Sequence, residues 1–169
     1  QPNCQRLELA SLIQSVWHTL EPLAQTKHVR LTQLIDDRLC LEAEESRLFR
    51  VFLNLLDNAI RYSPPDAEIR IEAWPKVGDR IAIGIIDAGS GFTTHDLPHV
   101  FDRLYRGDSS RQREVIPGTG SDRAISNGSG LGLAIVREII MAHGGSITAK
   151  NYPDTGGAWI EIDLPARSL

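Results

Sequence analysis

The sequence predicts a two-layer α/β sandwich, in which two or three helices cover one face of a sheet. Three observations predict it. Strand-like runs outnumber helical ones. The chain has 169 residues, enough for one domain with a real core. Glycine is segregated: all 14 lie between Gly78 and Gly157, so the first half reads as regular scaffold and the second carries turns and close backbone approaches.

The elements follow in order. Residues 1–6 read as a linker end. Ser11 with Gln14 resembles a capping box, opening a helix through about Lys27 that Pro22 should kink or divide. Val29 to Ile35 and Leu39 to Leu41 read as short strands. Glu44 to Tyr62 has strong helical periodicity and is stopped by Ser63-Pro64-Pro65. Ile69 to Trp74 and Arg80 to Ile86 read as paired strands joined by a turn containing Gly78-Asp79. Thr94 to Arg103 is expected to be a short helix and residues 107–127 a long polar loop. Leu131 to His143 reads as a helix closed by Gly144-Gly145. Ser146 to Lys150 and Ala158 to Leu164 form a final hairpin, ended by Pro165.

Composition excludes several classes. A net charge of −4 argues against non-specific nucleic-acid binding. The apolar run Ile81 to Ile86 is far too short to span a bilayer, and no signal peptide opens the chain. Two cysteines, Cys4 and Cys40, do not make a disulfide framework, which fits a reducing, cytoplasmic setting. The chain begins with Gln, so it is expected to be a piece of a longer protein.

Three segments carry chemistry. On the helix from Glu44, residues Arg47, Arg50, Asn54, Asp57, Asn58 and Arg61 form one stripe. Leu48, Val51, Phe52, Leu55, Leu56 and Ala59 fill the opposite side. A solvated polar face is the usual meaning of such a stripe. However, asparagine competes with the helix backbone, so two of them one turn apart need a reason. An amide carbonyl suits Mg²⁺, which leans on waters and substrate phosphates, and Arg61 and Tyr62 stand one turn further on, able to donate to phosphate oxygens. Taken alone, the helix leaves both readings open.

Asp87 ends the apolar strand Ile81 to Ile86, and Gly89 and Gly91 follow. An Asx turn explains this pattern; so does a buried carboxylate accepting from an exocyclic amine such as that of adenine. Gly128-Ser-Gly-Leu-Gly-Leu133 leads into an apolar-periodic helix. A glycine-rich helix start offers N–H groups and a positive dipole end to phosphate. The spacing is neither the dinucleotide fingerprint nor the Gly-Lys-Ser/Thr phosphate loop. A hinge feeding a core helix is the structural alternative.

Taken in order, these segments resemble the catalytic and ATP-binding domain of sensor histidine kinases, in the wider Bergerat-fold ATPase group. Arg47 to Ser63 resembles the N box, and Asp87-Ala-Gly-Ser-Gly91 the G1 box. Val100-Phe-Asp-Arg-Leu-Tyr-Arg106 with Ser109-Ser-Arg111 resembles the F box. Gly128 to Val136 resembles the G2 box, with His143-Gly-Gly145 after it. The similarity covers about Leu7 to Pro165. It implies a mixed sheet covered on one face by about three helices, with a long ATP lid at about residues 103–130 and a tail at 166–169.

The resemblance also implies roles. Asn58 would coordinate Mg²⁺ and Asn54 would line the same face, the two forming the catalytic pair. Arg61 and Tyr62 would contact phosphates or ribose. Asp87 would bind the adenine amino group, with Gly89 and Gly91 admitting the base and Phe92 stacking on it or crowding it. Val100, Tyr105 and Arg106 would lie at the lid base. Gly128, Ser129, Gly130, Leu131, Gly132 and Leu133 would supply hinge and phosphate contacts. Family members that hydrolyse ATP, such as gyrase, carry Glu where Asn54 stands. Asparagine cannot act as a base at neutral pH, which suits transfer of the γ-phosphate to another nucleophile.

That nucleophile would be a histidine on a separate helical dimerisation domain. None of the five histidines here lies in the family's acceptor setting; His18 reads as an ordinary helix residue and His143 as a helix-end residue. The implied partners are ATP, that dimerisation domain and a response-regulator receiver domain. The chain is expected to be monomeric, with no membrane contact of its own even where the parent is anchored. Leu104 stands where the F box usually has an aromatic residue, and Ser121 to Gly130 looks like an insertion of about ten residues in the lid. Two other readings compete: a degenerate nucleotide-binding signalling module, and a serine kinase of the anti-sigma-factor type.

Overall fold

The structure is a computed structural model, described here for residues 4–106 and 132–166. A five-stranded mixed sheet carries three helices. The strands and helices are β1 (Gln5–Glu8), α1 (Leu9–Lys27), β2 (Arg30–Ile35), β3 (Cys40–Ala43), α2 (Glu45–Tyr62), β4 (Glu68–Lys76), β5 (Arg80–Ile86), α3 (Gly132–Ala142), β6 (Ser146–Asn151) and β7 (Ala158–Pro165). The main sheet runs β2-β4-β5-β7-β6, and β1 pairs with β3 in a separate ribbon. Among the described residues, β2 and β4 are the one parallel pair of the main sheet; β4–β5, β5–β7 and β6–β7 are antiparallel.

Alternation along the strands builds the core. Ile71 faces Ile85, and Ile83 stands between Ala73 and Ile162. With Ile69, Ile81, Ile160 and Leu164 they form the apolar face on which the helices lie. From α1 come Ile13 and Val16, from α2 Leu48, Phe52 and Leu56, and from α3 Val136 and Ile140, all fully buried. Cutting Phe52 to alanine there would cost about 4 kcal/mol. The opposite sheet face is polar and aromatic: Lys150 sits 3.7 Å from the Trp159 ring centroid, and Arg70 sits 5.0 Å from that of Tyr152.

Several expectations need correction. Gln5 and Arg6, read as linker, form the first half of β1, paired with Glu42 and Ala43; with Leu7 its one buried side chain, this strand has no legible alternation. Ala166, read as tail, is tied in by its N–H to the Asp79 carbonyl and by its own carbonyl to Glu42 N–H. Helix α1 starts at Leu9 with no side-chain cap. Ser11 lies inside it and donates to the Glu8 carboxylate, so there is no capping box. The helix also runs as one element through Pro22. Pro22 is exposed, so the carbonyl left without an N–H partner can be hydrated. The expected helix Thr94 to Arg103 shrinks to a single 3-10 turn at Leu97–His99 with Pro98 inside it.

Other expectations stand. Gly144, at φ +70°, and Gly145 close α3, with Gly145 N–H donating to the Ile140 carbonyl. His18 is exposed beside Glu21. His143 does more than meet a helix dipole: its Nδ1 lies 2.8 Å from the Ile139 carbonyl and its Nε2 accepts from Glu44 N–H at 3.4 Å. These contacts join the end of α3 to the start of α2. Cys4 and Cys40 are free thiols.

Candidate nucleotide site

The site is built around α2. Arg47 and Arg50 are exposed, whereas Asn54, Asp57, Asn58 and Arg61 are half-buried along the lower half of the same stripe. The Arg61 Nε donates to Asp57 Oδ2 at 2.8 Å across one turn. That ion pair ties the Arg61 guanidinium to the turn of α2 before it. Asn54 faces the first residue of α3: a Cβ placed on Gly132 would lie 3.5 Å from Asn54 Oδ1. The helix start expected to receive phosphate therefore lies against the asparagine stripe, with Leu133 packed on the core beside it.

The other end of α2 meets the Asp87 turn. Buried Ser63 follows the helix, and its Oγ accepts from Ala88 N–H at 3.3 Å. Asp87 is itself buried. Its Oδ1 accepts from Gly89 N–H and Ala158 N–H, each at 2.9 Å. Both bonds fall on one oxygen, so the other keeps its acceptor capacity for a ligand donor. Burial pushes the Asp87 carboxyl above its ordinary value, and these two N–H groups oppose that rise without cancelling it.

The glycines of this turn are explained first by the protein itself. A Cβ on Gly89 would stand 2.6 Å from the Tyr62 carbonyl, and one on Gly91, at φ +74°, 2.2 Å from the Gly156 carbonyl. A Cβ on Gly157 would lie 2.1 Å from the Asp87 carbonyl. The turn is wedged between the end of α2 and the β6–β7 connection. Phe92 is packed partly into the core, with its main chain hydrogen-bonded to Asn151.

The following segment folds back on itself. Buried Asp96 accepts from Tyr105 Oη at 2.5 Å. That bond, first among several, holds the Asp96 carboxyl below its ordinary value. The Tyr105 ring lies against His99, with ring centroids 5.3 Å apart. Val100 is buried beneath, Arg106 is exposed, and Arg103 pairs with Glu138 of α3. Leu104 is exposed at φ +63°, so the position departing from the usual aromatic residue points into solvent. Gly128, Ser129, Gly130, Leu131 and Ser109 to Arg111 lie outside the described residues.

Lys27, Asp96 and Asn151 contribute without any mark in the sequence, and Ser63 was visible only as part of a helix stop. Among the described residues no three His, Cys, Asp or Glu side chains are grouped to hold a metal ion.

The family described as histidine kinase-, DNA gyrase B-, and HSP90-like ATPase matches residues 43–168. Sensor protein SphS of Synechococcus elongatus is 42% identical over 159 residues, spanning 94% of this chain and 37% of that protein. The chain therefore spans little more than a third of that relative. Sensor histidine kinase component HK1 of Mycobacterium tuberculosis is 38% identical over 135 residues, which is 80% of this chain and 70% of that protein. The solved mycobacterial sensor histidine kinase MprB superposes with a TM-score of 0.77 at 26% identity, over 98% of this chain and 100% of that one.

Proposed function

The chain belongs to the histidine kinase-, DNA gyrase B- and HSP90-like ATPase family, and from that premise we propose that it binds Mg-ATP and delivers the γ-phosphate to a histidine on a separate dimerisation domain. What supports this reading most is the placement of α2. Its asparagine stripe meets the start of α3 at Gly132, and its C-terminal end meets the Asp87 turn. One rigid helix thus spans the distance from a base-reading carboxylate to a phosphate-receiving helix start.

The roles follow from side-chain chemistry. Asp87 accepts from the adenine amino group through the oxygen that its internal hydrogen bonds leave open. Arg61, steadied by Asp57, donates to phosphate oxygens, with Tyr62 beside it. Tyr105, fastened by Asp96, fixes the base of the lid. A Mg²⁺ ion fits the donor set: Asn58 offers one neutral oxygen, which suits an ion whose other ligands are phosphates and waters. When bound, the ion neutralises phosphate charge. Asn54 occupies the position next to Gly132 and cannot take a proton from water at neutral pH. The site accordingly positions ATP while withholding a general base, and the phosphoryl group passes to an outside nucleophile. The partners of this reading are the dimerisation domain and a response-regulator receiver domain.

Calorimetric titration with a non-hydrolysable ATP analogue, with and without Mg²⁺, tests the reading. Saturable binding strengthened by Mg²⁺ is expected, followed by phosphoryl transfer when the histidine domain is added in trans. A folded chain that binds no nucleotide overturns it.

A further inference from the structure

Helix α2 ends in an unusual way. Its last carbonyls have no intrahelical partners, and the residues after it are Ser63, Pro64 and Pro65. The prolines carry no N–H, so the donors that commonly close a helix are missing. Lys27, in the last turn of α1, supplies them from outside. Its Nζ donates to the carbonyls of Ile60 at 2.9 Å, Arg61 at 3.0 Å and Ser63 at 2.5 Å. An ammonium group has three donors, and a cation at a helix C-terminus is favoured by the macrodipole.

The clamp reaches further than the helix end. The Ser63 held by Lys27 through its carbonyl is the residue whose Oγ receives Ala88 N–H, next to Asp87. The Tyr62 carbonyl, between the clamped Arg61 and Ser63, is the surface against which Gly89 closes. From this chain of contacts we infer that Lys27 is a positioning residue for the nucleotide site. It sets the end of α2, and with it the spacing between the Asn58–Arg61 stripe and the Asp87 carboxylate. A ligand gripped at both base and phosphate feels that spacing; one gripped only at the base feels it much less. The inference rests on the Mg-ATP reading above for its functional meaning, but the clamp itself can be read without nucleotide.

The test uses the full chain and its Lys27→Met, Lys27→Arg and Ser63→Ala variants. Amide hydrogen exchange without nucleotide is measured at Ala88 and Gly89, then affinity for the ATP analogue and for adenosine. In Lys27→Met, exchange at both amides should accelerate about tenfold, reflecting loss of a charge-assisted contact. ATP-analogue affinity should fall about tenfold and adenosine affinity by less than about threefold, with Lys27→Arg recovering most of the loss. A purely structural cap would lower the unfolding temperature and leave Ala88 exchange and the ATP-to-adenosine ratio unchanged; that result overturns the inference. Should Lys27→Met fail to fold, Ser63→Ala cuts the second link alone, and unchanged Ala88 exchange there overturns it equally. Faster exchange in the variants of a chain that binds no ATP analogue would sink the Mg-ATP reading and leave the clamp on the Asp87 turn standing.

Discussion

Asn151 and Phe92 are joined by a pair of hydrogen bonds. Phe92 N–H donates to Asn151 Oδ1 at 2.7 Å, and Asn151 Nδ2 donates to the Phe92 carbonyl at 2.8 Å. A side-chain amide thus pairs with a main chain as a neighbouring strand would. It pins the segment after the Asp87 turn to the end of β6.

Replacing Asn151 with alanine removes both bonds at once. The pair is exposed, so water replaces part of what is lost, and the expected cost is about 1–2 kcal/mol in a urea melt. Exchange at the Phe92 amide should rise more than the global loss accounts for. A variant as stable as the parent, with Phe92 still protected, would show that packing of the Phe92 ring holds the segment instead.

Gly91→Ala is expected to be severe. The new methyl meets the Gly156 carbonyl at 2.2 Å on a backbone at φ +74°, so steric overlap adds to conformational strain. A loss of about 3 kcal/mol or more is expected from denaturant unfolding. Gly78→Ala is the control. Its φ is +82° but a Cβ there meets nothing, so strain acts alone and the loss should be about 1 kcal/mol.

Both glycines have positive φ, and only their tertiary surroundings separate them. The core was legible in the sequence because the apolar run of β5, the alternation in β7 and the apolar side of α2 are local patterns. The Asp87 turn, the asparagine stripe and Gly132 were legible as motifs of fixed spacing. What stayed hidden was long-range. Lys27 lies 33 residues from Ile60, and Asn151 lies 59 from Phe92. No periodicity marks a lysine as the cap of another helix. The glycines were found, but the packing of Gly91 on Gly156 is a tertiary fact that spacing does not encode. The capping box at Ser11 failed because a preceding strand delivers the chain directly into the helix at Leu9. Ser11 then falls one turn too late to cap.

If Asp87 reads the adenine base, stability and binding respond to pH in opposite directions. Its folded carboxyl titrates above the ordinary value of 3.8 because burial penalises the charged form. Between the unfolded and folded values the native state holds more proton than the unfolded one. Its contribution to stability therefore falls as pH rises through that window, and is constant above it. Affinity for an adenine nucleotide moves the other way, because the ionised carboxylate is the better acceptor. Titrations from neutral to acid pH should show affinity falling before an ordinary aspartate would protonate. Asp87→Asn should remove that pH dependence and lower affinity at neutral pH by about 2 kcal/mol, because the amide can direct a donor at the base's amino group. A variant that binds ATP normally would mean the base is read elsewhere.

Asn58→Ala tests the metal side of the site. Asn58 is half-buried on the polar stripe, while Leu55, Leu56 and Ala59 carry the packing of that turn. Alanine is also the better helix former by about 0.6 kcal/mol, so the variant should unfold no earlier than the parent. If the amide oxygen ligates Mg²⁺, the variant loses the affinity that the metal adds. Mg-ATP should then bind about as weakly as ATP does to the parent in excess chelator. Adenosine, which brings no phosphate, should bind both proteins alike. The decisive reading is the Mg²⁺ increment. An undiminished increment in folded Asn58→Ala would remove Asn58 from the metal site and move the search along the stripe to Asn54.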